Sequence, residues 1–346
     1  MPSILLLVSF GFLGLAFALA VLFVVTKAWR NWQTHRSRRA RVLLKRAALR
    51  RDIGYYKALA RRFVLEAYDV LGELLQDSHP MAQDLFRAAG GLKRVHRLSR
   101  SRVVRHRVQA AALLARLPFF DESSTILCRL VADPHPLVRE AAARAVAIRR
   151  DAPAAAAMLR AIERYNDLSM YRVARHALAR CGHEVTNGLI EGLSSELPEV
   201  RWLCLDVLGD IGDPVALPVI LALARRDGDT ETLTRLARAL RSYSGVQVVQ
   251  CLLDLAGHPE WQVRAQAARS LGLVAGRDGN AIYLDAVLEC LEQLTRDQEY
   301  WVRNNAATAL ASLGEPGRRI LQRLASGSDR YAAERAREAL QVLGEV

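Results

Sequence analysis

The side chains that could make or break bonds are few and scattered along this chain. His183-Glu184 is its one adjacent His-Glu pair, whereas a two-metal site of imidazoles and carboxylates needs several. Five cysteines (Cys128, Cys181, Cys204, Cys251 and Cys290) are odd in number and far apart, without Cys-x-x-Cys or Cys/His zinc spacing. No phosphate-binding Gly-rich loop, nucleophile elbow or His-Glu-x-x-His run occurs. The expectation is no catalytic residue, no metal and no cofactor, with reduced structural thiols. The chemistry on offer is recognition. Arg105, Arg139, Arg172, Arg201, Arg264 and Arg303 recur along the chain, and Trp202, Trp261 and Trp301 lie among them. Trp and Arg are favoured interface anchors, although core or inter-repeat packing also suits these tryptophans.

The arginines belong to a repeat. Val138-Arg139, Val263-Arg264 and Val302-Arg303 each open a stretch rich in Ala and Leu, and so do Val104-Arg105, Tyr171-Arg172 and Val200-Arg201. Weaker copies span Leu233 to Leu240 and Ala333 to Leu340; from Arg105 to Ala333 the spacing averages about 33 residues, a solenoid period. Each unit reads as an apolar helix (Ile126 to Val131, Val219 to Leu223, Val248 to Leu253), a turn with Asp, Glu or Pro, then the arginine helix. The turns include Asp133-Pro134-His135-Pro136, His258-Pro259-Glu260 and Asp297-Gln298-Glu299, and Gly212-Asp213-Pro214 ends one unit. Neither the ankyrin nor the tetratricopeptide signature is present.

The pattern Asp…Val-Arg-x-x-Ala-x-x-Ala-Leu-Gly resembles the short HEAT-like repeats of phycobilisome lyases, over about residues 100 to 346. The resemblance implies an all-α, right-handed solenoid of helix pairs. It also implies that each repeat arginine pairs with the turn Asp of a neighbouring unit, forming a ladder along the stack. On function it is nearly silent, because such repeats host scaffolds, adaptors and a few enzymes.

The N-terminus differs from the repeats. Ile4 to Val25 is 22 residues without a charge. At a rise of about 1.5 Å per residue a helix of that length covers roughly 30 Å, the thickness of a bilayer core. Met1-Pro2-Ser3 lacks the basic start of a cleaved signal, so an uncleaved span is expected. From Lys27 to Arg62 there are 13 basic residues against one acid, Asp52, out of a net +13 for the whole chain. The positive-inside rule then places residue 27 onward in the cytoplasm of an inner membrane, with the N-terminus outside. Trp29, Trp32, Arg36, Arg38, Arg39, Arg41, Lys45 and Arg46 are the candidate contacts with the membrane surface and anionic lipid. Leu49, Ile53, Tyr56, Ala60, Phe63, Ala67, Val70 and Leu74 alternate in spacings of four and three, which predicts one long helix over 40–76. Its seam would pack on downstream helices, or form a coiled coil or partner-helix groove.

A second basic stretch runs from Arg87 to Arg116, while residues 117–346 hold 27 basic and 30 acidic residues. The expected organisation is therefore a membrane anchor (1–26), a basic juxtamembrane helix (27–80) and a solenoid of about seven or eight repeats (81–346). The expected function is a cytoplasmic scaffold or adaptor for membrane-associated proteins, such as an envelope or polysaccharide-synthesis complex. The alternative is a regulator reading anionic lipid. Nucleic acid fits on charge alone and lacks a binding motif.

Overall fold

A computed structural model describes residues 27, 32, 34–50, 52–63, 66–67, 70, 91–116, 121–165, 168–226, 228–278 and 281–344. The expected span at 4–25 and Trp29 lie outside the described residues. Among those described, no helix is long and apolar enough to cross a membrane. The chain divides into two compact units, Met1–Ser123 and Ser124–Val346.

In the first unit the expected single helix is broken. Helix α1 covers residues 34–49, and α2 covers Ile53–Arg62. Asp52 breaks the run because its carboxylate accepts the Tyr55 N–H at 2.9 Å and caps a new helix. A second break falls at Phe63 (φ −125°, ψ 66°). The two helices fold back as a hairpin: Ser37 Oγ donates to Glu66 Oε1 at 2.5 Å, and the Arg36 guanidinium lies 5.3 Å from the Phe63 ring centroid. Phe63 of the predicted seam meets α1, Tyr56, Ala60, Ala67 and Val70 are buried, and Leu49 is exposed, while Leu74 lies outside the described residues. Heptad spacing identified an apolar face and not the partner that covers it. Helices α3 (Gly91–Ser99) and α4 (Val104–Leu114) form a further pair in this unit.

The second unit is a stack of helix pairs, opened by α5 (Asp121–Val131), which straddles the division at residues 123/124. One layer holds the arginine helices: α6 (Pro136–Arg149), α8 (Tyr171–Cys181), α10 (Pro198–Ile211), α12 (Thr230–Leu240), α14 (Trp261–Asp278), α16 (Tyr300–Ser312) and α18 (Arg330–Val342). Each packs on the next in that order. The other layer holds α7 (Ala152–Tyr165), α9 (Thr186–Gly192), α11 (Leu217–Arg226), α13 (Val246–Ala256), α15 (Ala281–Leu294) and α17 (Gly314–Ala325). Among the described residues this is an all-α solenoid.

Small residues set the spacing of the arginine layer. A Cβ built on Gly209 would sit 2.9 Å from Ala239 Cα, and one on Gly272 would sit 2.6 Å from Ala309 Cβ. Both glycines are twelfth in their helix and meet the tenth residue of the next arginine helix, so one repeat rule explains both. The third position of these helices fills the core: Val138, Val200, Val263 and Val302 are all buried. At the end of α10, Gly212 adopts φ 69°, a left-handed cap that glycine takes without a Cβ penalty.

Candidate interaction surfaces

The repeat arginines were expected to reach a neighbouring unit, but their first task is to close their own turn. Arg139 Nη1 donates to the carbonyls of Asp133 (2.9 Å) and Pro134 (3.0 Å). Arg201 does the same with Ser195 and Glu196, Arg264 with His258 and Pro259, and Arg303 with Asp297 and Gln298. In each turn the side chain of the first residue accepts the N–H two residues on: Asp133 from His135, Ser195 from Leu197, His258 from Glu260 and Asp297 from Glu299. The arginine at the fourth helical position thus satisfies carbonyls that the bend leaves without helical partners.

Two expected members fall outside this pattern. Arg105 and Arg172 are exposed, at the second position of their helices. In α4 the clamp is Arg107, whose Nη1 donates to Ser101 (3.0 Å) and Arg102 (3.2 Å), while Ser101 Oγ accepts the Val103 N–H. In α8 the fourth position is Ala174, and Arg175 instead grips Asp210 of α10 through two 2.9 Å hydrogen bonds.

The ladder between units exists at particular rungs. Arg264 Nε and Nη2 hold the two oxygens of Asp297, 33 residues on, at 2.7 and 3.0 Å. Burial pushes the Asp297 carboxyl up, yet the Arg264 hydrogen bonds, the Glu299 N–H and the charges of Arg264 and Arg303 hold it below its ordinary value. Asp229 is likewise held low against its own burial, by Thr232, by Trp202 and by the charge of Arg201. A second rung, which the sequence reading missed, joins units through Ser124 Oγ to Asp151 (2.6 Å) and Thr186 Oγ1 to Asp213 (2.7 Å), each pair 27 residues apart. A Ser or Thr early in the first helix, followed 27 residues later by the Asp that starts the next, is the signal that would have found it. Asp206 joins three units: it accepts from Tyr171 Oη (2.9 Å) and Arg235 Nη1 (2.6 Å), with Arg175 Nη1 at 3.7 Å. Burial first, and then the Asp206 carboxylate, push the Tyr171 phenol up.

The three tryptophans have different environments. Trp202 Nε1 donates to Thr232 Oγ1 at 2.9 Å and Arg235 lies over its ring, so it packs between units. Trp261 is half-buried. Trp301 is 56% exposed and packs edge-on against Tyr300, and Tyr331 of the next arginine helix is 60% exposed. Arg303 lies over Tyr331 and Arg335 over Tyr300, each 5.0 Å from the ring centroid. Tyr300, Trp301 and Tyr331 thus form a surface of rigid aromatics backed by arginines, the residue types that dominate interface energetics.

The other predicted site residues lie on α1 and just before it. Trp32 is 56% exposed, and Arg36, Arg38, Arg39, Arg41, Lys45 and Arg46 are all exposed. The cysteines carry free thiols; Cys181 and Cys204 are buried and the other three half-buried. Burial pushes the Cys181 and Cys204 thiols up to about 12, away from reactive thiolate. Among the described residues, no cluster of His, Cys, Asp and Glu could hold a metal ion.

Solved structures with a similar chain path include a mutant of the karyopherin Kap121p, at 15% identity and TM-score 0.56 over 88% of this chain and 39% of that one. Kap121p bound to Nup53p matches at 12% identity and TM-score 0.51, over 88% and 41%. This chain therefore spans about two-fifths of the karyopherin's length, and at these identities the likeness concerns the fold. The CpcE–CpcF phycocyanin lyase complex of a Nostoc species is similar at 18% identity and TM-score 0.38, over 66% of this chain and 96% of that one. No curated protein matches the sequence. The HEAT-repeat family matches at residues 166–241, 185–272 and 249–341, together just over half of the chain. Helix pairs stacked in two layers, clamped turns and this match agree: the chain belongs to the HEAT-repeat proteins.

Proposed function

We propose that this chain is a membrane-held scaffold that binds a protein partner through its solenoid and acts by recognition alone. The observation behind this reading is the exposed Tyr300–Trp301–Tyr331 surface on an otherwise internally clamped stack. The apolar run at 4–25 would supply the tether, and the exposed bases of α1 would lie against anionic headgroups. Tethering raises the local concentration of partner and solenoid in one layer, which can replace intrinsic affinity. A membrane-bound assembly, of the envelope or polysaccharide-synthesis kind, is the setting such a scaffold would serve.

The test is a mild-detergent pull-down of tagged full-length protein, read by mass spectrometry beside two variants. One lacks residues 1–26 and the other is Trp301→Ala/Tyr331→Ala. A membrane protein recovered with the parent chain, reduced without the anchor and lost in the double variant at unchanged melting temperature, supports the reading. Equal recovery by the parent and the double variant removes the aromatic surface from it.

A further inference from the structure

The hairpin of the first unit forms an open groove of about 580 Å³ between α1 and α2. That volume lies within the roughly 300–1,000 Å³ typical of small-molecule sites. Ala40, Leu43, Leu59 and Phe63 give it an apolar lining, the exposed Arg36, Arg39, Arg62 and His35 give it basic groups, and Trp32 lines it too. Among the described residues, no acidic side chain lines it. The grooves of the solenoid differ on that point: the one between α11 and α13 sets Asp254 beside Arg225, and the one between α7 and α9 sets Glu163 and Glu191 beside Arg160.

Two of these arginines are also ordered. The Arg36 guanidinium lies 5.1 Å from the Trp32 ring centroid and 5.3 Å from that of Phe63, and Arg62 lies 5.7 Å from Phe63. Ring contacts hold a planar guanidinium by its face and leave its N–H edges to donate. Two such cations, with Arg39 as a third beside an apolar lining, match one ligand chemistry, a phosphate ester joined to a hydrocarbon chain. The groove also starts seven residues beyond the end of the apolar run at 4–25, where a chain leaving a bilayer meets the headgroup layer.

We propose that this groove seats one anionic phospholipid of the membrane surface. Its phosphate is held by Arg36, Arg39 and Arg62, and the upper part of an acyl chain lies along Trp32, Leu43 and Phe63. The proposal rests on the membrane reading above and adds to it a single built site in place of a diffuse basic surface. A diffuse surface responds to the number of charges removed, whereas a built site responds to which ones are removed.

That difference is the experiment. The full-length chain is equilibrated in nanodiscs of equal parts phosphatidylglycerol and phosphatidylcholine, released in mild detergent, and weighed by native mass spectrometry. The parent chain should retain one phosphatidylglycerol. Arg36→Gln/Arg39→Gln/Arg62→Gln should lower that retention by about tenfold or more, the loss expected when charge-assisted phosphate contacts go. Arg50→Gln/Arg61→Gln/Arg97→Gln removes the same charge from exposed positions outside the groove and should retain the lipid. Melting temperatures of both variants report whether the hairpin survives. A second readout needs no loss of charge: acyl-brominated phosphatidylglycerol should quench a tryptophan component that Trp32→Phe abolishes. Equal loss in the two triple variants, equal retention in both, or phosphatidylcholine held as well as phosphatidylglycerol overturns the site. Displacement by glycerol phosphate alone would assign the arginines to a soluble phosphate ester and also overturn it. Alkaline carbonate extraction tests the tether separately. A chain released by carbonate loses the membrane reading, and the contrast between the triple variants, repeated on added vesicles, still decides the groove.

Discussion

Arg139, Arg201, Arg264 and Arg303 in the repeat unit each give Nη1 to two carbonyls of the turn before their own helix. In the hairpin, Arg36 and Arg62 lie over aromatic rings and line a groove that has no acid among its described residues. The residue type is the same and the burial is not. Arg139 is 5% exposed, while Arg36, Arg39 and Arg62 are exposed. In the repeats, guanidinium donors replace the backbone partners that a tight inter-helix turn lacks, and the near balance of acids and bases there leaves little net charge to act at a distance. From residue 27 to 62 the sequence holds 13 bases and one acid, so that segment carries a strong net positive charge. Arginine content alone therefore says nothing about binding; the turn geometry around each arginine does.

The comparison fails if packing, with no help from arginine, holds the stack, and a close contact between two arginine helices sets the scale. Gly272→Val should damage the arginine layer more than the loss of any one of its arginines, because its Cβ would fall 2.6 Å from Ala309 Cβ and 2.8 Å from Ala309 Cα. A loss of about 3 kcal/mol is expected, a drop of roughly 6–12 °C in melting temperature. Gly276→Ala, four residues on, meets nothing closer than 3.6 Å and should be neutral or stabilising by up to about 1 kcal/mol through helix propensity. Next in size is Arg264→Ala, which removes both carbonyl contacts and the paired grip on Asp297, whose side chain is 10% exposed. It should destabilise by about 2 kcal/mol, against under about 0.5 kcal/mol for Arg39→Ala in the hairpin. Equal melting temperatures for these two variants would erase the distinction between the regions.

Acid titration sharpens the same contrast. The folded pKa of Asp297 lies below its ordinary 3.8, so the ionised carboxylate favours the folded state. Its contribution is complete above about pH 4 and is lost as pH falls from 3.8 through the folded value. Asp297→Asn should weaken the protein near neutrality and flatten the acid limb of a stability-against-pH curve. An acid limb of unchanged slope would mean that the Arg264–Asp297 rung contributes nothing.

Much of the solenoid is legible in the sequence, and for a definite reason. Valine at the third helical position and alanine behind it are buried in unit after unit, so selection by packing leaves a visible period. The hairpin is less legible because its apolar spacing runs through the break without changing phase. Only Asp52 and Gly54 marked it, as a helix-capping acid followed two residues later by a glycine. The candidate surface was partly visible: Trp301 was named, but Tyr300 and Tyr331 were not, since exposure of a ring depends on the next helix rather than on its own neighbours. The Val-Arg dipeptide also misled, because it marks a local motif and the clamp is defined by distance from the turn.

That distance gives the smallest and most specific test. In five turns the clamping arginine follows the first turn residue by six: Ser101 and Arg107, Asp133 and Arg139, Ser195 and Arg201, His258 and Arg264, Asp297 and Arg303. The first residue must accept the N–H two places on and offer its own carbonyl, so Ser, Asp and His all serve. Arg105 carries the dipeptide but sits four residues after Ser101, two positions and about half a helical turn too early in this arrangement. Arg107→Ala should therefore cost about 1 kcal/mol and Arg105→Ala under about 0.5 kcal/mol, read as melting temperatures of the full chain. The reverse order would return the clamp to the dipeptide and undo the turn-based account of every arginine in the stack.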